Sequence, residues 1–369
     1  MALQIPKPEE IIDLGIGQPD PDLLPTALFR SLSLRREDLA YGEEAGDGRF
    51  RYTLANWLSG EYDHPVDADQ LMVTAGTSQA LDLICTRLAR PGDTVLVEDP
   101  SYFIALKLFA EHGLKPVAIA MDDQGIRPDL LEPALQQHQP AFIYTIPSYH
   151  NPTGVTQPSE RREQLVALAK RYHCPLLADE VYQCLYFDRK PPPPLACYDP
   201  QAPVLSLGSF SKILAPGLRL GWIQGSEATL LSLLSSPLFK SGGGLAPVSS
   251  ALVEPLIANG EFQQYLVGLR QTYRSRLDLL YRGLCSAFGG RVQIARPDGG
   301  YFLWVSFTDG NEPIRRLEAA KAEGVGYFAG PLFSADKGCA NSMRLCFAWY
   351  PETELTTACN RLASLFEAR

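Results

Sequence analysis

The sequence predicts an α/β protein: a mainly parallel, seven-stranded sheet sandwiched by helices, joined to a smaller α+β domain. Three observations carry that prediction. Seven apolar, β-rich stretches recur between residues 71 and 225, segments of helical periodicity separate most of them, and the pattern changes character after a long helical stretch at 262–288. A length of 369 residues suits two domains rather than one.

In chain order, residues 1–30 are Pro-rich and read as extended. The strand candidates are LMVTAG (71–76), TVLVED (94–99), KPVAIAM (115–121), AFIYTIP (141–147), PLLADE (175–180), VLSLGS (204–209) and LRLGWIQG (218–225). Helical segments among and after them include 78–90, 159–173 and 226–236. Beyond 262–288 the elements shorten: GGYFLWVSF (299–307), PIRRLEAAKAEG (313–324), SMRLCFAWY (342–350) and a closing helix over 352–368. This divides the chain into a large domain, 31–265, and a small one made of 1–30 with 266–369. PPPP at 191–194 reads as a short stiff loop. Ligands of such sheets bind beyond the carboxyl ends of the strands, so the loops after the strands should carry the chemistry.

Composition narrows the function. With 46% apolar and 20% charged residues the balance is that of a globular protein. A net charge of −9 without a basic stripe argues against nucleic acid as partner. Arginine pairs at 35–36, 161–162 and 315–316 read as solvated helix faces. No signal-like start and no membrane-length apolar run occur, so a cytoplasmic protein with no membrane partner is expected. The eight cysteines lack metal-ligand spacing and read as reduced thiols, with no metal.

The strand-terminal loops hold an unusual set of polar residues. Thr77 and Ser78 follow the first strand at a helix start, where they either cap the helix or help bind an anion such as phosphate. Tyr102 follows the second strand and either packs in the core or stacks on a planar ligand. Asn151 begins an Asn-Pro turn after AFIYTIP, and its amide would project over the sheet edge. Asp179 and Glu180 end a strongly apolar strand, where a carboxylate needs a cationic partner. Lys212 lies in the apolar run SLGSFSKILAPGLRLGW (206–222), with Ser209, Ser211 and Arg219 close by. A lysine in such surroundings has a depressed pKa and becomes a usable amine nucleophile. Pyridoxal phosphate chemistry requires such a lysine, an acid for the pyridine nitrogen and a phosphate cradle. All three have candidates here.

These motifs resemble the fold-type I, pyridoxal-phosphate-dependent aminotransferases. The resemblance rests on NPTG (151–154), DEVY (179–182) and SFSK…GLRLGW (209–222), supported by TAGTSQAL (74–81), DPSYF (99–103) and MRLCFAWY (343–350). In look it is nearest the branch of 2-aminoadipate and kynurenine aminotransferases. Related sequences form the effector part of bacterial regulators with a DNA-binding domain ahead of the family pattern. Here that pattern begins at LGIGQPD, leaving no room for one, and the intact NPTG favours an enzyme.

The resemblance implies roles residue by residue. Lys212 would bind the cofactor as a Schiff base and shuttle the substrate proton, and Asp179 would keep the pyridine nitrogen protonated. Asn151 and Tyr182 would bond the ring's 3-oxygen, and Tyr102 would stack on the ring. Thr77, Ser78, Ser209, Ser211 and Arg219 would bind the phosphate. Arg344 would clamp the substrate α-carboxylate in the bidentate way guanidinium geometry favours, with Gly17 lining the substrate side. Tyr41 matches a tyrosine that reaches the phosphate in the partner subunit, which implies a homodimer with shared active sites. Without the resemblance, Arg344 reads as a structural arginine, His150 as an incidental loop histidine and Glu180 as a helix-start carboxylate. The implied reaction is ping-pong transfer of an amino group from an amino acid to a 2-oxo acid, 2-oxoglutarate. β-Elimination on the same cofactor and non-catalytic ligand sensing are the alternatives, and the Gly-rich loop 241–244 has no assigned role.

Overall fold

The computed structural model describes residues 10–30 and 32–366; the extended reading of 1–9 and the last residues of the closing helix, 367–368, lie outside them. An arm containing β1 (Ile12–Asp13) leads through 3-10 turns to α1 (Gly48–Tyr62). The large sheet follows: β2 (Leu71–Thr74), α2 (Thr77–Leu88), β3 (Thr94–Asp99), α3 (Phe103–Glu111), β4 (Lys115–Asp122), β5 (Gly125–Ile126), α4 (Pro128–His138), β6 (Phe142–Thr145), α5 (Ser159–Arg171), β7 (Leu176–Asp179), β8 (Val204–Ser209) and β9 (Gly221–Gly225). Then come α6 (Glu227–Leu234), α7 (Pro237–Gly242), α8 (Pro247–Ala258) and the 28-residue α9 (Glu261–Phe288). The remainder holds β10 (Val292–Ile294), β11 (Phe302–Phe307), α10 (Leu317–Ala322), β12 (Val325–Gly326), β13 (Phe328–Ala329), β14 (Ser342–Cys346) and α11 (Glu352–Leu365).

All seven strand-like stretches enter one sheet of order β2-β9-β8-β7-β6-β3-β4-β5, which the two-residue β5 extends at one edge. Strands β4, β3, β6, β7 and β8 are mutually parallel, and β9 runs against both β8 and β2. Central strands such as FIYT and LLAD are buried along their whole length. Such unbroken apolar runs are what a sheet covered on both faces requires. The reversal of β9 matters for function, because its first residue, Gly221, pairs with Thr74 and Ser209 at the carboxyl ends of β2 and β8. The loop before β9, which carries Arg219, therefore reaches the same edge as the loops after the parallel strands.

The second sheet is antiparallel, in the order β10-β11-β14-β13, and the arm strand β1 pairs with β12 beside it. Helix α9 spans roughly 42 Å at 1.5 Å per residue and crosses unbroken the boundary expected at residue 265. Among the described residues no helix is long and apolar enough to cross a membrane.

One surface reading fails. Arg161 does pair near the surface with Asp122, but Arg162 is fully buried. Its guanidinium donates to the carbonyls of Pro147, Gln157, Pro192 and Pro193 and to Ser148 Oγ, and lies 3.6 Å from Glu180. A ring of acceptors replaces water, so the charge can leave the surface. The proline run 192–193 supplies two of those carbonyls, which ties that loop to α5. Glu180 starts no helix; its Oε1 accepts from the Leu195 amide, and burial raises its carboxyl to about 7.

Candidate active site

A cavity of about 360 Å³ opens at the carboxyl edge of the large sheet, between it and the small sheet. Lys212 lines it, in the turn that follows β8, with Phe210, Ile213 and Leu214 fully buried around it. Its Nζ donates to the Gly17 carbonyl at 2.8 Å and stands 5.4 Å from the Tyr301 ring. Burial pulls the ammonium down to about 8, and the Arg344 charge pushes the same way. The amine is thus a base close to neutral pH.

Asp179 closes β7 and faces the same cavity. Its Oδ2 accepts from the Tyr144 hydroxyl at 2.8 Å, while the buried Oδ1 has no hydrogen-bond partner. Burial raises the carboxyl to about 6; the Tyr144 bond, the Val181 amide and the Lys212 charge oppose that rise. A buried acceptor left open at a cavity wall fits a protonated ring nitrogen. Tyr102, Asn151 and Tyr182 line the cavity beside it. Tyr182 is held by the Tyr301 ring, with centroids 5.4 Å apart.

At another wall Gly76, not Thr77 or Ser78, occupies the N-cap of α2, and no side chain caps the helix. The capping alternative therefore falls away, and both hydroxyl residues line the cavity in the first turn. Arg219 Nη2 donates to the Ala75 carbonyl at 3.2 Å, and a Cβ at Gly76 would come within 2.9 Å of that nitrogen. Gly76 has φ +89, so a glycine there serves both the backbone and the close approach of the guanidinium. Ser209 and Ser211 complete this wall, with the Ser211 amide bonded to Ser209 Oγ at 3.0 Å. Helix-terminal amides and hydroxyls at this wall, with the Arg219 guanidinium beside the Gly76 turn, are groups able to hold an anion.

Arg344 lies mid-strand in β14, between Trp304 of β11 and Phe328 of β13, and is 2% exposed. Nη1 donates to Asn151 Oδ1 and Nη2 to the Gly15 carbonyl, each at 2.7 Å, while Nε has no partner. The rings of Phe302, Phe333 and Phe328 surround it at 4.0, 4.9 and 5.2 Å. Burial lowers even this guanidinium to about 10. Gly17 fits closely at its place, since a Cβ would meet the Phe302 ring at 2.9 Å.

The site residues expected from the sequence line this cavity except two: Arg219, which is exposed and bonds the Ala75 carbonyl beside the Gly76 turn, and Tyr41, which is 89% exposed and stands apart. The Gly-rich loop packs beneath its segment: a Cβ at Gly243 would meet Gly42 O at 2.2 Å, and one at Gly244 would meet Glu43 O at 2.5 Å. His150 does not line the cavity; it is buried, with Nε2 3.2 Å from Glu98. Tyr144, Gly15 and the rings of Phe302, Phe328 and Phe333 were not anticipated. Tyr144 had a readable signal: a buried hydroxyl in an apolar strand needs a partner, and Asp179 ends the neighbouring strand.

An amine of lowered pKa, a carboxylate and a buried guanidinium around one cavity, with hydroxyls at a helix start, are the groups that pyridoxal phosphate chemistry on amino acids requires. The chain matches the model of the family described as "Aminotransferase class I and II" over residues 9–362, and it belongs to that family. It is 32% identical to aromatic-amino-acid aminotransferase 1 of Thermococcus litoralis, over 98% of this chain and 89% of that one. It is 30% identical to the 2-aminoadipate transaminase of Thermus thermophilus, over 95% and 89% respectively. The crystal structure of kynurenine aminotransferase from Pyrococcus horikoshii superimposes with a TM-score of 0.89 at 30% identity, covering 97% of this chain and 91% of that one. The protein is an aminotransferase of fold type I, and its cofactor is pyridoxal 5′-phosphate.

Proposed function

We propose that the cavity carries a ping-pong transamination in which Lys212, Asp179 and Arg344 hold the three essential positions. The observation that carries this reading is their convergence on one cavity, with Asp179 Oδ1 unpartnered inside it. The bound cofactor would supply an electron sink for the substrate Cα–H bond. Asp179 would keep the pyridine nitrogen protonated, supported from behind by Tyr144. Thr77, Ser78, Ser209, Ser211 and Arg219 would hold the phosphate. Tyr102 would cover the ring face, and Asn151 and Tyr182 would bond its 3-oxygen. Lys212 Nζ would anchor the cofactor covalently and, once free, carry the proton to and from substrate Cα.

Arg344 would bind the α-carboxylate through the edge that includes its unpartnered Nε, with Gly17 beside it. An amino acid would leave its amino group on the enzyme and depart as a 2-oxo acid; 2-oxoglutarate would then take the group up. We further read the chain as two lobes, 31–265 and 1–30 with 266–369. It would act in the cytoplasm as a homodimer, in which the exposed Tyr41 reaches the partner's phosphate.

Borohydride reduction of the yellow holoenzyme, followed by peptide mass analysis, should find the pyridoxyl adduct on Lys212. Mixing with amino acids should then give the pyridoxamine form and a stoichiometric 2-oxo acid. A colourless protein without an adduct would refute the reading, and pyruvate with free ammonia would replace it with β-elimination.

A further inference from the structure

Tyr301 lies just before β11, fully buried, and does not line the cavity. The glycine ahead of it directs it inward: Gly300 has φ +78, and a Cβ there would stand 2.6 Å from Tyr149 Cβ. Its main-chain carbonyl accepts from the Phe347 amide at 3.0 Å, which fastens it to the small-sheet side. Its side chain crosses to the other side. The hydroxyl donates to the Lys212 carbonyl at 2.9 Å, and the ring stands 5.4 Å from Lys212 Nζ. Lys212 sits in a turn beyond β8, outside any ladder, and among the described residues its carbonyl accepts no other hydrogen bond. Burial holds the Tyr301 phenol well above its usual range, so it stays a donor at every working pH. Tyr273 of α9 backs the ring at 5.3 Å, with the two hydroxyls 3.5 Å apart, and Tyr182 flanks it at 5.4 Å.

We propose that Tyr301 is a positioning residue for Lys212: by holding the lysine's carbonyl and flanking its amine, it keeps Nζ directed into the cavity and away from water. The proposal rests on the aminotransferase reading and adds to it a residue set back from the cavity. A lysine stem is long and flexible, so an amine on an unanchored turn samples many directions. Those that face the cavity can condense with an aldehyde or carry a proton to substrate Cα; the others cannot. Fixing the backbone at the root of the stem removes part of that freedom before any ligand arrives. The Gly17 carbonyl holds the free end at 2.8 Å, so Lys212 is pinned twice, once by the arm and once from the small-sheet side.

Capture of pyridoxal 5′-phosphate by the apoprotein tests this, a condensation of the free amine with the aldehyde in which water leaves. Tyr301→Phe keeps the ring and removes the donor. Its capture rate at pH 8 should fall roughly fivefold to tenfold, the range of one neutral hydrogen bond. The pH midpoint of capture should rise from about 8 by roughly one pH unit, since a freed stem brings Nζ nearer to water. Calorimetric binding of pyridoxamine 5′-phosphate, which has no aldehyde, should stay within about twofold of wild type, and kcat should fall with KM for the amino acid unchanged. Tyr273→Phe removes a hydroxyl from the same cluster but none from Lys212, so its capture rate and midpoint should match wild type. An unchanged rate or midpoint in folded Tyr301→Phe, or equal losses in Tyr273→Phe, would overturn the positioning role while leaving transamination standing. If the wild-type apoprotein forms no adduct at Lys212, the lysine assignment itself fails and this role with it. Should Tyr301→Phe not fold, Tyr301→Met fills the space without a donor and takes the same measurements.

Discussion

On the large-sheet side of the cavity the polar groups stand at strand ends, Asp179 closing β7 and Ser209 closing β8. On the small-sheet side Arg344 sits in the middle of β14, buried between Trp304 and Phe328. At a strand end the backbone leaves the ladder, so a polar side chain can turn towards ligand with little rearrangement of the core. A charge in mid-strand has no such exit. Arg344 is kept by a cage: three phenylalanine rings, the Asn151 amide oxygen and the Gly15 carbonyl. The first wall is built from loops on a scaffold; the second is built from the scaffold itself.

That contrast can be tested from its strongest consequence downward. Lys212→Ala should leave the large-sheet wall folded but lower turnover by roughly four orders of magnitude, with cofactor retained only non-covalently; absorbance, borohydride trapping and kcat decide it. Arg344→Leu should keep the cofactor spectrum and lower kcat/KM by about 100-fold, the scale of a lost hydrogen bond to a charged group. Arg344→Lys should recover little, because a point charge cannot replace the planar fork that reaches both Asn151 and Gly15. If Arg344→Leu instead released the cofactor, the two walls would not be separable.

Gly76→Ala should weaken cofactor binding about tenfold, through strain at φ +89 and the 2.9 Å approach to Arg219, with little change in donor specificity. Equilibrium dialysis of the cofactor reads that loss. The smallest effect is one of pH. Burial places the Lys212 ammonium at about 8, so its free amine should increase about fourfold between pH 7.5 and 9 and then level off. The rate of covalent cofactor capture by the apoprotein should follow. An ordinary lysine would still be gaining free amine well above pH 9, so a continued climb there would contradict the burial argument.

The same contrast explains what could be read from sequence. Lys212 and Asp179 were conspicuous because each is an ionisable side chain beside an apolar strand, and the strand-and-helix alternation located them at one edge. Arg344 was not conspicuous: within MRLCFAWY it reads as a structural arginine, and only the family resemblance singled it out. Its cage is assembled from Phe302, Phe328 and Phe333, which come from separate elements and are individually indistinguishable from core residues. Arg162 shows the limit from the other direction. Next to Arg161 it looked solvated, and only the fold shows carbonyls from two loops gathered around it. Local pattern locates a polar group; it does not say which distant groups will satisfy it.

The arm at residues 14–20 gives these observations a further consequence for engineering. Lys212 and Arg344 are both held by its backbone carbonyls, Gly17 and Gly15, and the arm is fastened by the Asp20–Arg276 pair, 2.8 Å apart, and by the Leu14 carbonyl on the Cys346 amide. Carbonyl ligands are invisible to side-chain scanning, so an alanine survey would register the arm only through clashes at Gly15 and Gly17 and the loss of the Asp20–Arg276 pair, never through the carbonyls themselves. Its contribution is altered by shifting the chain path, through insertion, deletion, a bulkier residue at Gly15 or Gly17, or loss of the Asp20–Arg276 pair. Libraries meant to retune this enzyme should therefore vary loop length ahead of Asp20 as well as residue identity in the cavity.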